Sequence, residues 1–253
     1  MKIGVFGDSF ADRFMCRVNG GIADESWLQY LEDQGHHVEC YGLSSTSTWY
    51  SFERFLPLYE YMDAIVFVYS HHSRVHSMPK QYRLFAGFAN RPIENLTENH
   101  MYKNCSSEDR ENIMTIVKAA NLTSNPTFNL FVQHKIFEEV NKLCREKNIK
   151  LVNILPFADE DSIKDFELKS AHGDCLYDLI PVVDKEMEIQ NGTDPRQCHL
   201  SLENNTILGK VIVESLNSNS PTNINLSKEV NFVYSEEITN RYIARNNLLE
   251  AIK

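Results

Sequence analysis

Apolar residues in this chain come in short runs separated by longer stretches of helical spacing. Ile3-Gly4-Val5-Phe6 is the first run, and Gly7-Asp8-Ser9 closes it. DESWLQYLEDQG (24–35) then places Trp27, Leu28 and Leu31 on one helical face and stops at Gly35. HVECYG (37–42) predicts a short strand ending in glycine, and TWYSFERFLPLYEYM (48–62) an aromatic helix that Pro57 kinks or breaks. DAIVFVYS (63–70) is apolar almost throughout, as a parallel strand buried on both faces must be. The alternation resumes with a long amphipathic helix over 126–148, a second buried strand, IKLVNILPF, over 149–157, and a helix over 201–216 opened by Ser201.

Strands alternating with helices predict an α/β three-layer sandwich, a central parallel sheet covered on both faces. Two stretches leave the repeat. Residues 74–125 are polar, with weak helical patterns near 80–89 and 107–121, and read as an insertion over one end of the sheet. Residues 217–253 begin as a linker, NSNSPTNIN, and finish in a short helix around 236–252. The division predicted is a domain over 1–216 and a linker with a helical tail over 217–253. That tail has three options: packing on the domain, swinging free, or joining two copies into a homo-oligomer.

Composition narrows the partners. The 253 residues are 42% hydrophobic, enough for a sizeable core, and the net charge of −10 argues against a nucleic-acid surface. No run approaches the length of a membrane span, and residues 1–30 lack a charged start followed by a long apolar segment, so a cytoplasmic protein without membrane partners is expected. The six cysteines are scattered without CxxC pairs and read as reduced thiols.

Ligands of a doubly wound sheet bind at the carboxyl ends of its strands. Three such ends carry unusual residues here: Gly7-Asp8-Ser9, YGLSSTST (41–48) and YSHHSR (69–74). Late in the chain, GTDPRQCHLS (192–201) adds Asp194 and His199 just before the last core helix. A serine on a strand-to-helix corner is an ordinary turn residue when taken alone. With a small-residue loop, a donor-rich loop and a late Asp and His, it becomes an acyl-transfer set. No metal or cofactor is expected. His71, His72 and His76 lack a carboxylate spaced to join them, and His172 with Asp174 in AHGDC is a loop pair. Phe10 stands where a dinucleotide fingerprint needs its third glycine.

These segments resemble the SGNH or GDSL-type hydrolases over roughly 1–73 and 190–216. FGDSF matches the block that carries the nucleophile, which the resemblance implies is Ser9. YGLSSTS is similar to the second block, with Gly42 in the oxyanion position. DAIVFVYSHHS aligns without gaps with the third, and CHLS supplies His199 as the base. The chain departs from the pattern twice. Ser70 and His72 stand where the family has Gly and the oxyanion Asn, so His72 or Arg74 is the expected third donor. Four residues separate Asp194 from His199 where the family has two, and Arg196 occupies the family's Asp position. Either the loop bulges to bring Asp194 to the imidazole, or a backbone carbonyl orients His199. The resemblance implies a small-molecule or carbohydrate ester as substrate, such as an O-acetyl group. The alternative is a binding or structural protein that keeps the fold with a degenerate site.

Overall fold

A computed structural model describes residues 1–13, 26–44, 46–74, 93–98, 100–123, 125–161, 163, 171–189, 200–218 and 221–234. Its strands are β1 (Lys2–Phe6), β2 (His37–Cys40), β3 (Ala64–Val68), β4 (Lys150–Leu155), β5 (Asp174–Tyr177) and β6 (Asn223–Asn225). The helices are α1 (Trp27–Asp33), α2 (Thr48–Phe55), α3 (Ile93–Glu98), α4 (His100–Lys103), α5 (Ser107–Thr123), α6 (Pro126–Glu146), α7 (Ile180–Ile189), α8 (Leu202–Asn217) and α9 (Leu226–Glu229). One-turn 3-10 helices add Ser9–Ala11 and Tyr59–Tyr61.

All six strands pair in parallel, in the order β2-β1-β3-β4-β5-β6. This is the expected three-layer α/β sandwich. Alternation along β3 divides the core. Ala64, Val66 and Val68 face one way, onto Trp27, Leu28 and Leu31 of α1 and Leu208 and Ile212 of α8. Ile65, Phe67 and Tyr69 face the other way, onto Phe52 and Phe55 of α2 and Ile136, Phe137 and Val140 of α6. Every residue of β3 is fully buried, which is why its sequence shows no polar alternation.

Local signals fix the helix ends. Ser26 caps α1 by accepting the Gln29 N–H, and the chain leaves it through Gly35 at φ 81°. Ser47 caps α2, which stops before Pro57, so the helix expected over 48–62 is broken where the proline stands. Asn125 caps α6 and Pro126 opens it.

Several elements go beyond the sequence reading, among them α3, α4 and α9. β5 and α7 lie in a stretch given no element, and residues 223–225, within the linker-like composition, form the edge strand β6 on β5. In the insertion, α3, α4 and α5 gather around a small core of their own: Leu96, Tyr102, Ile113 and Val117. The helical patterns expected at 80–89 and 236–252 lie outside the described residues. Among the described residues, no helix is long and apolar enough to cross a membrane.

Candidate active site

The strand order reverses between β1 and β3, because β2 turns back to the outside of β1. In doubly wound sheets the carboxyl ends of the strands at such a reversal are the usual ligand position. Ser9 follows β1 and the segment 70–74 follows β3, so the sequence-predicted Ser9, His72 and Arg74 sit on its two sides. Gly42, after β2, lies beside the first.

The Ser9 corner is a single tight turn. Asp8 is fully buried, and its Oδ1 accepts the Phe10 N–H at 3.1 Å, capping the turn Ser9–Ala11. Ser9 itself is half-buried. Around it the corner is held by its neighbours. The Trp27 indole donates to the Phe10 carbonyl at 2.8 Å, the Cys40 thiol to the Ala11 carbonyl at 2.9 Å, and the Ser44 N–H to Asp12 Oδ2 at 2.7 Å. Gly7 and Gly42 make this closeness possible. A Cβ on Gly42 would stand 2.2 Å from the Ala11 carbonyl oxygen, and one on Gly7 would stand 2.6 Å from Val68 Cβ. Gly42 is therefore required by the approach of two backbones.

The loop after β3 is tied inward at each step. The Ser70 N–H donates to Thr48 Oγ1 at 3.0 Å and its hydroxyl to the Thr46 carbonyl at 3.0 Å, while its own carbonyl accepts from Gln133 at 2.8 Å. Ser70 is thus a fully buried hydrogen-bonding residue. Arg74 folds back, donating through Nη1 to the Thr46 carbonyl at 2.7 Å, and the same nitrogen lies 3.0 Å from Asp8 Oδ2.

His71 and His72 stack with centroids 4.3 Å apart. His71 Nδ1 accepts the Ser73 N–H at 3.1 Å, which places the ring proton on Nε2 when His71 is neutral. Burial lowers the His72 pKa below its ordinary 6.5, so its imidazole is neutral at pH 7 and carries one N–H donor. Phe157, beyond β4, packs edge-on against His71 at 5.1 Å and against Phe10 at 6.0 Å. The site thereby gains an aromatic wall that sequence reading missed. The signal available was an aromatic at the carboxyl end of a buried strand.

His199 and Asp194 lie outside the described residues. The start of α8, immediately after His199 in sequence, is firmly anchored. Buried Glu186 of α7 accepts the Ser201 N–H at 2.8 Å and the Ser201 hydroxyl at 2.6 Å, and it also bonds the Asn204 amide. Asn205 donates to the carbonyls of Leu200 and Ser201 and accepts the Trp27 N–H at 3.3 Å. Trp27 therefore bridges the Ser9 corner and the junction that follows His199. Among the described residues, no group of three or more His, Cys, Asp or Glu side chains could hold a metal ion.

No family model matches the chain, and none of the curated proteins does. Solved structures similar to it include three that follow. A protein of the lipolytic G-D-S-L family from Desulfitobacterium hafniense DCB-2 is 16% identical, over 65% of this chain and 66% of that one, with a TM-score of 0.35. TesA is 11% identical, over 86% of this chain and 98% of that one, with a TM-score of 0.47. The acetyl xylan esterase AlAXEase is 11% identical, over 85% and 98% of the two chains, with a TM-score of 0.43.

Proposed function

We propose that the protein is a serine ester hydrolase in which Ser9 is the nucleophile and His199 its base. The observation that carries this reading is the position of Ser9, half-buried on a capped one-turn corner at the point where the strand order reverses. In the reaction, Ser9 Oγ attacks the acyl carbonyl and His199 takes its proton. The carbonyl oxygen, now an oxyanion, accepts from the N–H groups of Ser9 and Gly42 and from a third donor, His72 or Arg74. His199 then returns the proton to the departing alcohol, and water releases the acyl group from Ser9. The Gly42 N–H faces the Cys40 sulfur, a weak acceptor that an oxyanion outcompetes. An O-acetyl ester is the substrate proposed, with Asp194 orienting the imidazole where its loop reaches.

A fluorophosphonate probe tests the reading directly, since it labels only an activated serine. The wild type should be labelled and should hydrolyse p-nitrophenyl acetate. Ser9→Ala should lose both, by about 10⁴-fold or to background, with unchanged unfolding. A wild type that neither reacts with the probe nor turns over the ester would leave the second reading, a binding protein with a degenerate site. That reading is favoured by one observation, the replacement of the oxyanion Asn by a histidine stacked on its neighbour.

A further inference from the structure

We propose that Asp8 and Arg74 form a positioning clamp that sets the Ser9 corner, and that Arg74 serves the site through this clamp instead of donating to an oxyanion. The kinetic part rests on the serine-hydrolase reading; the structural part does not. Asp8 has no exposed surface, and a carboxylate withdrawn from water needs both hydrogen bonds and a countercharge. Oδ1 is used by the Phe10 N–H. Oδ2 receives no directed hydrogen bond, and what faces it is Arg74 Nη1 at 3.0 Å. That N–H points to the Thr46 carbonyl, at 2.7 Å, so the attraction to Asp8 is one of charge. Thr46 O also accepts the Ser70 hydroxyl.

One guanidinium thus meets all three loops of the site: Asp8 after β1, Thr46 after β2, and its own segment after β3. The Arg74 side chain is only 15% exposed. Its Nη1 is committed to Asp8 and Thr46, which opposes the donor role. Arg74 is also where the chain leaves the sheet for the insertion 74–125, so the clamp pins the root of that insertion to the nucleophile corner. Lysine keeps the charge but lacks the planar fork.

The test is a cycle of Asp8→Asn, Arg74→Ala and the double variant, with Arg74→Lys alongside. Each is read by p-nitrophenyl acetate kinetics, by the rate of fluorophosphonate labelling and by urea unfolding. Asp8→Asn retains an oxygen to cap the turn. Displacement of the corner should lower kcat and labelling about 10- to 100-fold in each single variant, with KM within about twofold. The double variant should be within about threefold of the worse single, and Arg74→Lys should recover part of the loss. The unfolding midpoints should be non-additive in the same sense. Full activity in Asp8→Asn beside a loss of about 100-fold in Arg74→Ala would instead make Arg74 an oxyanion donor and overturn the clamp. Independent, additive unfolding effects would overturn it too. Should the wild type prove inactive, the hydrolase reading fails by itself and the unfolding cycle alone decides the clamp.

Discussion

The two ends of the same sheet contain similar residues put to different uses. At the amino end, a cavity of about 230 Å³ is lined by Asn148, Lys150, His172, Asp174 and Ser215. Its polar groups close the fold. His172 gives its N–H to Asn141 and its Nε2 lies 2.9 Å from the Ile149 carbonyl. Asp174 accepts the Thr222 N–H at the start of β6, and Lys150 donates to the last turn of α8 at Leu216. Each ties the start of a strand to the strand or helix packed against it. At the carboxyl end, Asp8, Thr46, Ser70 and Arg74 join loop to loop across the reversal in strand order. A histidine near an aspartate is weak information; what matters is whether its bonds complete the framework or bring separate loops together.

Glycines sharpen this contrast most. A Cβ on Gly173 would stand 1.8 Å from the Leu151 carbonyl oxygen, much as one on Gly42 would collide with Ala11. Both alanine variants should be destabilised, by about 1–3 kcal/mol. Only Gly42→Ala should also lose activity, by about 100-fold, because about 1 Å of displacement at the corner is enough. Equal activity in the two variants, measured on the folded fraction, would erase the distinction between the ends.

His72 should be next in effect. His72→Ala should lose about 100-fold in kcat if it supplies the third donor, while His72→Asn, which restores an amide, should keep much of the activity. Full activity in the alanine variant would leave the third donor to water, with Arg74 held in its clamp. A smaller effect is expected at Trp27, where Trp27→Phe keeps the ring packing but removes the bond to the Phe10 carbonyl. One hydrogen bond is worth about 1 kcal/mol, so kcat should fall about fivefold or less, with KM unchanged.

The smallest effect is one of pH. Burial holds His72 below its ordinary pKa in the folded protein. On acidification the unfolded chain therefore binds the proton first, and stability falls as pH drops below about 6.5. Urea midpoints should decrease from pH 7.5 to 5.5, and less steeply in His72→Asn. His36, lowered first by burial, contributes in the same direction and leaves a residual slope in that variant.

Much of this was legible in the chain because it is local. β3 and β4 show themselves as apolar runs, Ser201 as a cap, and Pro57 as a break. β5 has four residues and β6 three, too few for a period to show, and Asn223–Asn225 brings only one apolar residue, Ile224, to the core from its edge position. α7 begins Ile-Pro, which reads as a breaker although proline fits the first turn of a helix. Strand-end logic placed Ser9, Gly42, His72 and Arg74 at one end of the sheet. It could not pair Asp8 with Arg74 or bring Phe157 to His71, since those meetings depend on strand order, which no window of residues contains.

The insertion between β3 and β4, with its own small core of Leu96, Tyr102, Ile113 and Val117, carries a consequence for how such a protein can change. Closing a longer loop is cheap, about 0.6 kcal/mol for each doubling in length. Central strands buried on both faces, by contrast, tolerate almost no alteration. Sequence drift should therefore concentrate between Arg74 and Asn125, while the clamp at one end and the α6 cap at the other stay fixed. For the protein engineer this segment is a natural cassette: it can be lengthened, trimmed or exchanged while β1, β3 and the corner between them stay as they are.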